Sequence, residues 1–148
     1  SRMINEQERP EEYKVVCFTY AQLGDSGISI VNGGLPMPLI VKKDGSIQQV
    51  DLSGLYLDSF EVHHTPPYEA KLADGDVVFL RTDCVDEGLT HSLGKGIGRE
   101  KLETVLRENR NQSALGIRDA VISELGKYFL PKSNADDDFT LAVVKYKE

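Results

Sequence analysis

The sequence predicts an α+β fold, a mostly antiparallel β-sandwich with flanking helices. Strand-like runs fill residues 13–82, helical periodicity is confined to residues 98–128, and one more strand-like run closes the 148-residue chain. Strands grouped before helices are typical of α+β proteins, whereas regular alternation would indicate an α/β fold. We therefore expect six or seven strands, two helices and a last strand, all within one domain spanning residues 13–148.

Turn signals divide the first part of the chain into hairpins. Residues 13–21 (YKVVCFTYA) are rich in β-branched and aromatic residues, and residues 27–32 alternate with period 2. The turn residues between them predict a hairpin. A second hairpin is expected at Asp44-Gly45, where both central positions should adopt a positive φ.

The later strands differ in how deeply they should be buried. Residues 60–64 and 68–72 resemble weak strands on either side of two prolines. Residues 77–82 (VVFLRT) and 139–147 (FTLAVVKYK) contain continuous apolar runs. Such runs are typical of central strands that are buried on both faces.

Two helices are predicted after residue 97. In residues 98–109 the apolar side chains recur on one helical face, and Ser113 is a suitable N-cap for a second helix. The expected buried positions are Leu102, Val105 and Leu106 on the first helix, and Ile117, Val121, Leu125 and Tyr128 on the second.

Composition excludes several classes of protein. The chain carries 17 basic and 24 acidic residues, a net charge of -7, which argues against a nucleic-acid-binding protein. No apolar run approaches the roughly 18 residues of a membrane span. Two cysteines far apart suit a reduced, cytoplasmic protein. Residues 1–12 are polar and are interpreted as a tail or a linker remnant.

Acidic residues lie at the ends of the two predicted buried strands. Asp83 follows residues 77–82, and Asp137 and Asp138 precede residues 139–147. We expect the two strands to be antiparallel neighbours, which would bring these carboxylates together at one rim of the sheet. Clustered carboxylates suit a hard divalent cation such as Mg²⁺ or Mn²⁺. On spacing alone, however, a solvated acidic loop is the simpler interpretation.

The other polar motifs favour ordinary structural roles. Acidic neighbours disfavour a thiolate at Cys84, so an inert cysteine is expected there. His63, His64 and His91 do not recur at zinc-ligand spacing. Residues 94–98 (GKGIG) do not match a phosphate-binding loop and are interpreted as a flexible loop.

Four stretches of the sequence follow one another in order: ISIVNGGLPMPLIV (residues 28–41), LADGDVVFLRTDCVDEGL (residues 72–89), SLGKGIGREKLETVL (residues 92–106) and DDFTLAVVKYK (residues 137–147). Together they resemble the C-terminal part of a PPM-type (type 2C) serine/threonine phosphatase domain. The resemblance is greatest to the bacterial branch of RsbU and sporulation stage II protein E. Each stretch is similar to a family motif: residues 28–41 to "yanAGHpPpll", residues 72–89 to "l.pGD.lllyTDGv.Ea", residues 92–106 to "ge.fG.erl...l", and residues 137–147 to "DDiTllvvr".

The resemblance implies a metal site and an activity. Asp83 and Asp137 match the family's metal-binding aspartates. Asp138, Asp86 and Glu87 are candidates for residues that surround the metal ligands without binding the metal themselves. In that family a dinuclear Mn²⁺ or Mg²⁺ centre activates the water that attacks a phosphoserine or phosphothreonine. No other catalytic residue is assigned.

The same resemblance implies a biological setting. The substrate would be a phosphoserine on a regulatory protein of the anti-anti-sigma type, in the cytoplasm of a bacterium. A sensor or receiver domain would precede the phosphatase domain in the same signalling protein.

Departures from the family pattern favour an alternative. The two N-terminal acidic motifs are absent, Leu35 replaces the "AGH" histidine, and Cys84 replaces the glycine after Asp83, where a positive φ would strain it. The chain is therefore either a fragment of an active domain or a degenerate pseudophosphatase module that acts through protein–protein interaction.

Missing N-terminal strands and helices would also have physical consequences. We expect the fragment alone to be inactive. We expect residues 13–21 and the apolar stripe of the second helix to lose some of their covering partners, so that the fragment forms a homo-oligomer. The alternative is a monomer whose helices fold over the gap.

Overall fold

Seven strands and three helices make up the part of the chain that the computed structural model describes, residues 17–50, 66–94, 96–128 and 139–147. The strands are β1 Phe18–Gly24, β2 Gly27–Gly33, β3 Leu39–Val41, β4 Ile47–Gln49, β5 Tyr68–Lys71, β6 Val77–Arg81 and β7 Leu141–Lys145. The helices are α1 Asp83–Leu93, α2 Ile97–Asn109 and α3 Ala114–Leu125.

The strands form two antiparallel sheets, which confirms the predicted α+β sandwich. One sheet has the order β1-β2-β5 and the other has the order β4-β3-β6-β7. Every strand pair in both sheets is antiparallel. Strand β6 lies between β3 and β7, so it is a central strand as its apolar sequence predicts.

Successive side chains of β3 and β6 point to opposite faces of the four-stranded sheet, and a hydrophobic core forms on each face. Val77 and Phe79 pack in the cluster that contains the buried helix residues. Val78 packs instead with Ile28 and Ile30 of the other sheet. The four-stranded sheet is therefore the middle layer, with helices on one face and the second sheet on the other.

The apolar stripes of α2 and α3 are buried as the periodicity predicts, except that Tyr128 lies beyond the end of α3 and is only half-buried against the core. Ile117 and Val121 are at most 1% exposed, and Leu102 is 2% exposed. Ser113 caps α3, because its side chain accepts a hydrogen bond from the Gly116 N–H at 3.1 Å. The expectation that the α3 stripe loses some of its covering partners is wrong, since this stripe packs in the core beneath the four-stranded sheet.

Helix α1 was not expected from the sequence. Only Val85 and Leu89 of its residues are buried, so the sequence has too few apolar positions at helical spacing to predict a helix there. The signal that was missed is the pair of carboxylates in its first turn, Asp83 and Asp86, because acidic residues favour helix N-termini.

The glycines of residues 94–98 have stereochemical roles rather than providing a flexible loop. Gly94 ends α1 with a φ of 95°, and Gly96 precedes α2 with a φ of 91°. A Cβ atom on Gly98 would lie 2.8 Å from the Leu89 carbonyl carbon. These glycines allow the chain to turn sharply and let α2 pack directly against α1.

The β3–β4 hairpin forms where it was predicted, but with a different turn. Gly45 has a φ of 91°, and no described residue other than glycine has a positive φ, so Asp44 does not. Asp44 instead accepts hydrogen bonds from the Ser46 N–H and hydroxyl at 2.8 and 2.7 Å. These bonds from the Ser46 hydroxyl and N–H lower the pKa of Asp44.

Strand β1 is one of the two edge strands of the three-stranded sheet among the described strands, and β5 is the other. Tyr20 is 58% exposed and Leu23 is 49% exposed. The predicted strand at residues 60–64 and the predicted tail at residues 1–12 lie outside the described residues. Within the described part, no helix combines the length and apolar character that a membrane crossing requires.

Candidate metal centre

The end of β6 and the start of β7 lie side by side at one rim of the four-stranded sheet. Arg81 pairs with Leu141 in the sheet register. Beyond that pair, the Thr82 N–H donates to the Thr140 carbonyl at 2.9 Å, and the Thr140 N–H donates to Thr82 Oγ1 at 2.9 Å. The predicted antiparallel pairing of these two strands is confirmed.

Asp83 projects from this rim at the start of α1. Its side chain is exposed, and its Oδ1 accepts a hydrogen bond from the Cys84 N–H at 3.0 Å. An exposed carboxylate retains further oxygen lone pairs for a hard cation. Asp137 and Asp138 lie outside the described residues, so their proximity to Asp83 stays a prediction.

Cys84 occupies an ordinary helical position. It lies in the first turn of α1, and no described non-glycine residue has a positive φ. The strain expected for a cysteine at the family's glycine position is therefore absent. The backbone at this position accommodates a side chain.

Asp86 and Glu87 differ in their surroundings. Both oxygens of Asp86 accept from the Arg81 guanidinium, one from Nε and one from a terminal nitrogen, each at 2.8 Å. Glu87 is exposed on α1. Their suggested roles just outside a metal site stay predictions, as do the metal roles of Asp83 and Asp137.

Arg81 was missed as a functional candidate by the sequence analysis. A second terminal nitrogen of its guanidinium donates to the Met37 carbonyl at 3.0 Å, and its side chain is only 5% exposed. The signal was available, because a single arginine within an otherwise apolar strand must find buried partners.

A second polar contact holds the loop that contains Met37. Asn32 is 6% exposed, and its amide donates to the Leu35 carbonyl at 2.7 Å. Its side-chain oxygen accepts from the Thr19 hydroxyl. The loop after β2 is therefore anchored to β1 on one side and to Arg81 on the other.

The described residues do not complete a metal site by themselves. Among them, no three histidine, cysteine, aspartate or glutamate side chains lie close enough together to hold a metal ion. Asp83 has an exposed carboxylate at the rim, and a metal site that included it would need ligands beyond those that the described residues group together.

Comparison with known proteins identifies the family. Residues 2–147 match the family model of stage II sporulation protein E, SpoIIE. The chain belongs to the SpoIIE family. No curated protein matches its sequence.

Solved structures similar to this SpoIIE-family chain have the same fold. The phosphatase domain of Bacillus subtilis SpoIIE, presoaked with manganese, matches with a TM-score of 0.65 at 18% identity, over 96% of this chain and 61% of that one. The RsbU and RsbW domains of a Mycobacterium tuberculosis protein match with a TM-score of 0.64 at 21% identity, over 88% of this chain and 37% of that one.

A third structure is a phosphatase with bound metal. The catalytic domain of the serine/threonine protein phosphatase PstP, in complex with two manganese ions, matches with a TM-score of 0.61 at 14% identity. The match covers 90% of this chain and 60% of that one. The SpoIIE-family chain thus spans less than two thirds of each of these three chains.

The aspartate of the "GD" motif in this SpoIIE-family chain has a structural role that the sequence analysis did not assign. Asp76 is 1% exposed and accepts from Lys42 Nζ at 2.8 Å, the Ala73 N–H at 3.0 Å and the Lys43 N–H at 3.1 Å. Burial raises the pKa of Asp76, but these three donors outweigh burial and hold the pKa below its ordinary value. Asp76 thereby joins the turn before β6 to the end of β3.

Proposed function

We propose that this chain forms part of a metal-dependent protein serine/threonine phosphatase domain, with Asp83 and Asp137 as metal ligands. The observation that carries the proposal is the pairing of β6 with β7, extended by the hydrogen bonds between Thr82 and Thr140. Asp83 follows one of these strands, and Asp137 is four residues before Leu141 at the start of the other. Membership of the SpoIIE family supports the phosphatase activity.

The metal would be Mn²⁺ or Mg²⁺, bound as a pair in the complete domain. Oxygen donors at an exposed rim suit such hard cations, which also keep several bound waters. Bound there, the ions would lower the pKa of a water and neutralise charge on the phosphoryl oxygens. This chain would contribute Asp83 and Asp137 to that centre. The manganese in the PstP structure supports the choice of cation.

The proposed substrate is a phosphoserine on a regulatory protein of the anti-anti-sigma type. The similarity to the RsbU and RsbW domains of the M. tuberculosis protein supports a regulatory partner of this kind. We place the protein in the cytoplasm, with a sensor or receiver domain preceding the phosphatase domain.

A pseudophosphatase that acts by protein–protein interaction is the second candidate. The observation that favours it is Leu35, which stands where the resembling motif has a histidine. Cys84 does not add to this candidate, because its helical backbone is unstrained.

We further propose that the chain by itself associates through the β1 edge. The backbone of an edge strand offers unpaired N–H and C=O groups to another strand. The exposed side chains of Tyr20 and Leu23 add apolar surface to that edge.

Manganese-dependent hydrolysis tests the enzymatic proposal. In the native protein that contains this chain, Asp83→Asn and Asp137→Asn should each reduce Mn²⁺-dependent hydrolysis of p-nitrophenyl phosphate. The loss should exceed the roughly 10–100-fold that removing a ligand's hydrogen-bond partner causes. The 148-residue chain alone should hydrolyse this substrate only at the background rate, because two aspartates hold such cations weakly.

A matched control is Asp119→Asn, which changes an exposed aspartate on α3 and should leave the rate unchanged. A native protein that folds but shows no metal-dependent hydrolysis would support the pseudophosphatase instead. Robust hydrolysis by the 148-residue chain alone would contradict the expectation that more ligands are needed.

A further inference from the structure

Arg81 and Asp86 form a bridge across the turn that carries Asp83. Arg81 is the last residue of β6, and Asp86 lies in the first turn of α1. Two parallel hydrogen bonds of 2.8 Å join the guanidinium to both carboxylate oxygens. Paired bonds of this kind fix the relative orientation of their two groups more strictly than a single bond does.

The environment of the bridge gives it little freedom to rearrange. The Arg81 side chain is 5% exposed, and its Cζ atom lies 6.0 Å from the centroid of the Phe79 ring. The Asp86 side chain is 33% exposed, so the pair is only partly buried, and an ion pair of this kind adds little net stability. What this pair does supply is a fixed angle between β6 and α1.

The same guanidinium reaches a third element of the rim. Its hydrogen bond of 3.0 Å to the Met37 carbonyl holds the loop that follows β2. The opposite side of the Asp83 turn is held by the Thr82–Thr140 bonds to the segment before β7. The turn is thus fixed on two sides, by β7 and by Arg81.

We propose that Arg81 is a positioning residue, which orients the Asp83 carboxylate for metal binding by fixing the β6–α1 turn against the loop after β2. This inference rests on the proposed function, in which Asp83 is a metal ligand. Arg81 itself donates all its described hydrogen bonds to protein oxygens and is not proposed to contact metal or substrate.

Broadening of backbone amide NMR signals by Mn²⁺ tests the inference on the full chain, because it detects weak binding and locates it. In the unchanged chain, Mn²⁺ should broaden the signals of Thr82, Asp83 and Cys84 first. In Arg81→Lys, which keeps the charge but loses the paired bonds, the same broadening should require about tenfold more Mn²⁺. Asp86→Asn removes the carboxylate partner and should have a similar effect if Arg81→Lys does not fold.

Two further variants separate the possible outcomes. Arg118→Lys alters an exposed Arg–Asp pair on α3 and should leave the Mn²⁺ dependence unchanged. Asp83→Asn should abolish the local broadening. If Asp83→Asn abolishes it while folded Arg81→Lys and Asp86→Asn titrate like the unchanged chain, the positioning role is wrong and the proposed function stands. If Mn²⁺ broadens no signal near Asp83 in the unchanged chain, the metal site itself is wrong, and the positioning role with it.

Discussion

At the scale of single residues, two buried charged side chains link segments of the chain that are far apart in sequence. Asp76 and Arg81 are 1% and 7% exposed, and each has hydrogen-bond partners for its charged group. Among the described residues, no buried side-chain nitrogen or oxygen lacks a partner. Each charge therefore joins elements that are distant in the sequence, Asp76 to Lys42 and Arg81 to Met37.

Removing the Asp76 charge should destabilise the fold. Asp76→Asn leaves the Lys42 ammonium without its anionic partner and places an amide N–H₂ among N–H donors. We expect the free energy of unfolding to fall by about 2–4 kcal/mol, measured by urea denaturation at pH 7. The control is Asp74→Asn, because Asp74 is exposed and its pair with Lys43 spans 3.8 Å. Equal losses in both variants would contradict the role of burial.

The same residue should give a pH-dependent signature. Because the pKa of Asp76 is lower in the folded chain than the ordinary value of about 3.9, the unfolded chain takes up the proton first as the pH falls. The contribution of Asp76 to stability is therefore fully present above about pH 4 and is lost as the pH falls through the folded pKa. The stability difference between the unchanged chain and Asp76→Asn should shrink over that interval.

At the scale of elements, the contact between α1 and α2 depends on the absence of a side chain. A Cβ atom on Gly98 would approach the Leu89 carbonyl carbon and Cβ atom to 2.8 and 2.9 Å. Backbone atoms of a packed helix cannot move aside as the end of a flexible side chain can. Gly98 therefore allows α2 to pack closely against the C-terminal half of α1, and Arg81 bonds to Asp86 in the first turn of α1.

Gly98→Ala should separate these two helices at a measurable cost. Alanine normally favours a helix over glycine, yet here overpacking should lower the free energy of unfolding by about 1–3 kcal/mol. The matched control is Gly126→Ala at the end of α3, where φ is -57°. A Cβ atom on Gly126 would lie 3.4 Å from its nearest neighbour, the Ile122 carbonyl oxygen, which is an ordinary contact distance. That variant should be neutral or more stable in thermal unfolding. A Gly98→Ala protein as stable as the unchanged chain would argue against close α1–α2 packing.

At the scale of the whole molecule, the layers are covered unequally. Helices cover the outer face of the four-stranded sheet, whereas β1 has exposed apolar side chains at the edge of the other sheet. Exposed edges of this kind recruit other strands. The described elements therefore suggest association through β1 rather than through the buried stripe of α3.

Sedimentation velocity tests this association. The chain should sediment as a dimer or larger species at concentrations well above micromolar, and Tyr20→Lys with Leu23→Lys should shift it towards the monomer, because edge lysines oppose strand pairing. Leu115→Lys changes a residue that is 62% exposed on α3 and should leave the sedimentation unchanged. A monomeric unchanged chain would count against the proposed edge pairing and favour a self-contained module.

The sequence by itself determined the fold class, most of the strands, the two later helices and the Ser113 cap. These features depend on the periodicity of apolar residues and on residue types within short segments, so the local sequence is sufficient to predict them. It also predicted that β6 and β7 are antiparallel neighbours, from the acidic residues that follow one buried run and precede the other. The metal roles of Asp83 and Asp137 remain predictions from the resemblance.

Only the tertiary structure decided how the rim is held. Helix α1, the Arg81 bridge to Asp86 and Met37, the Asp76 contacts and the close approach at Gly98 all depend on which distant segments meet. Lys42 and Asp76 are 34 residues apart, and Arg81 and Met37 are 44 apart. Local sequence patterns cannot specify such partners, because a buried charge is stabilised by the geometry of its surroundings and not by its neighbours in sequence.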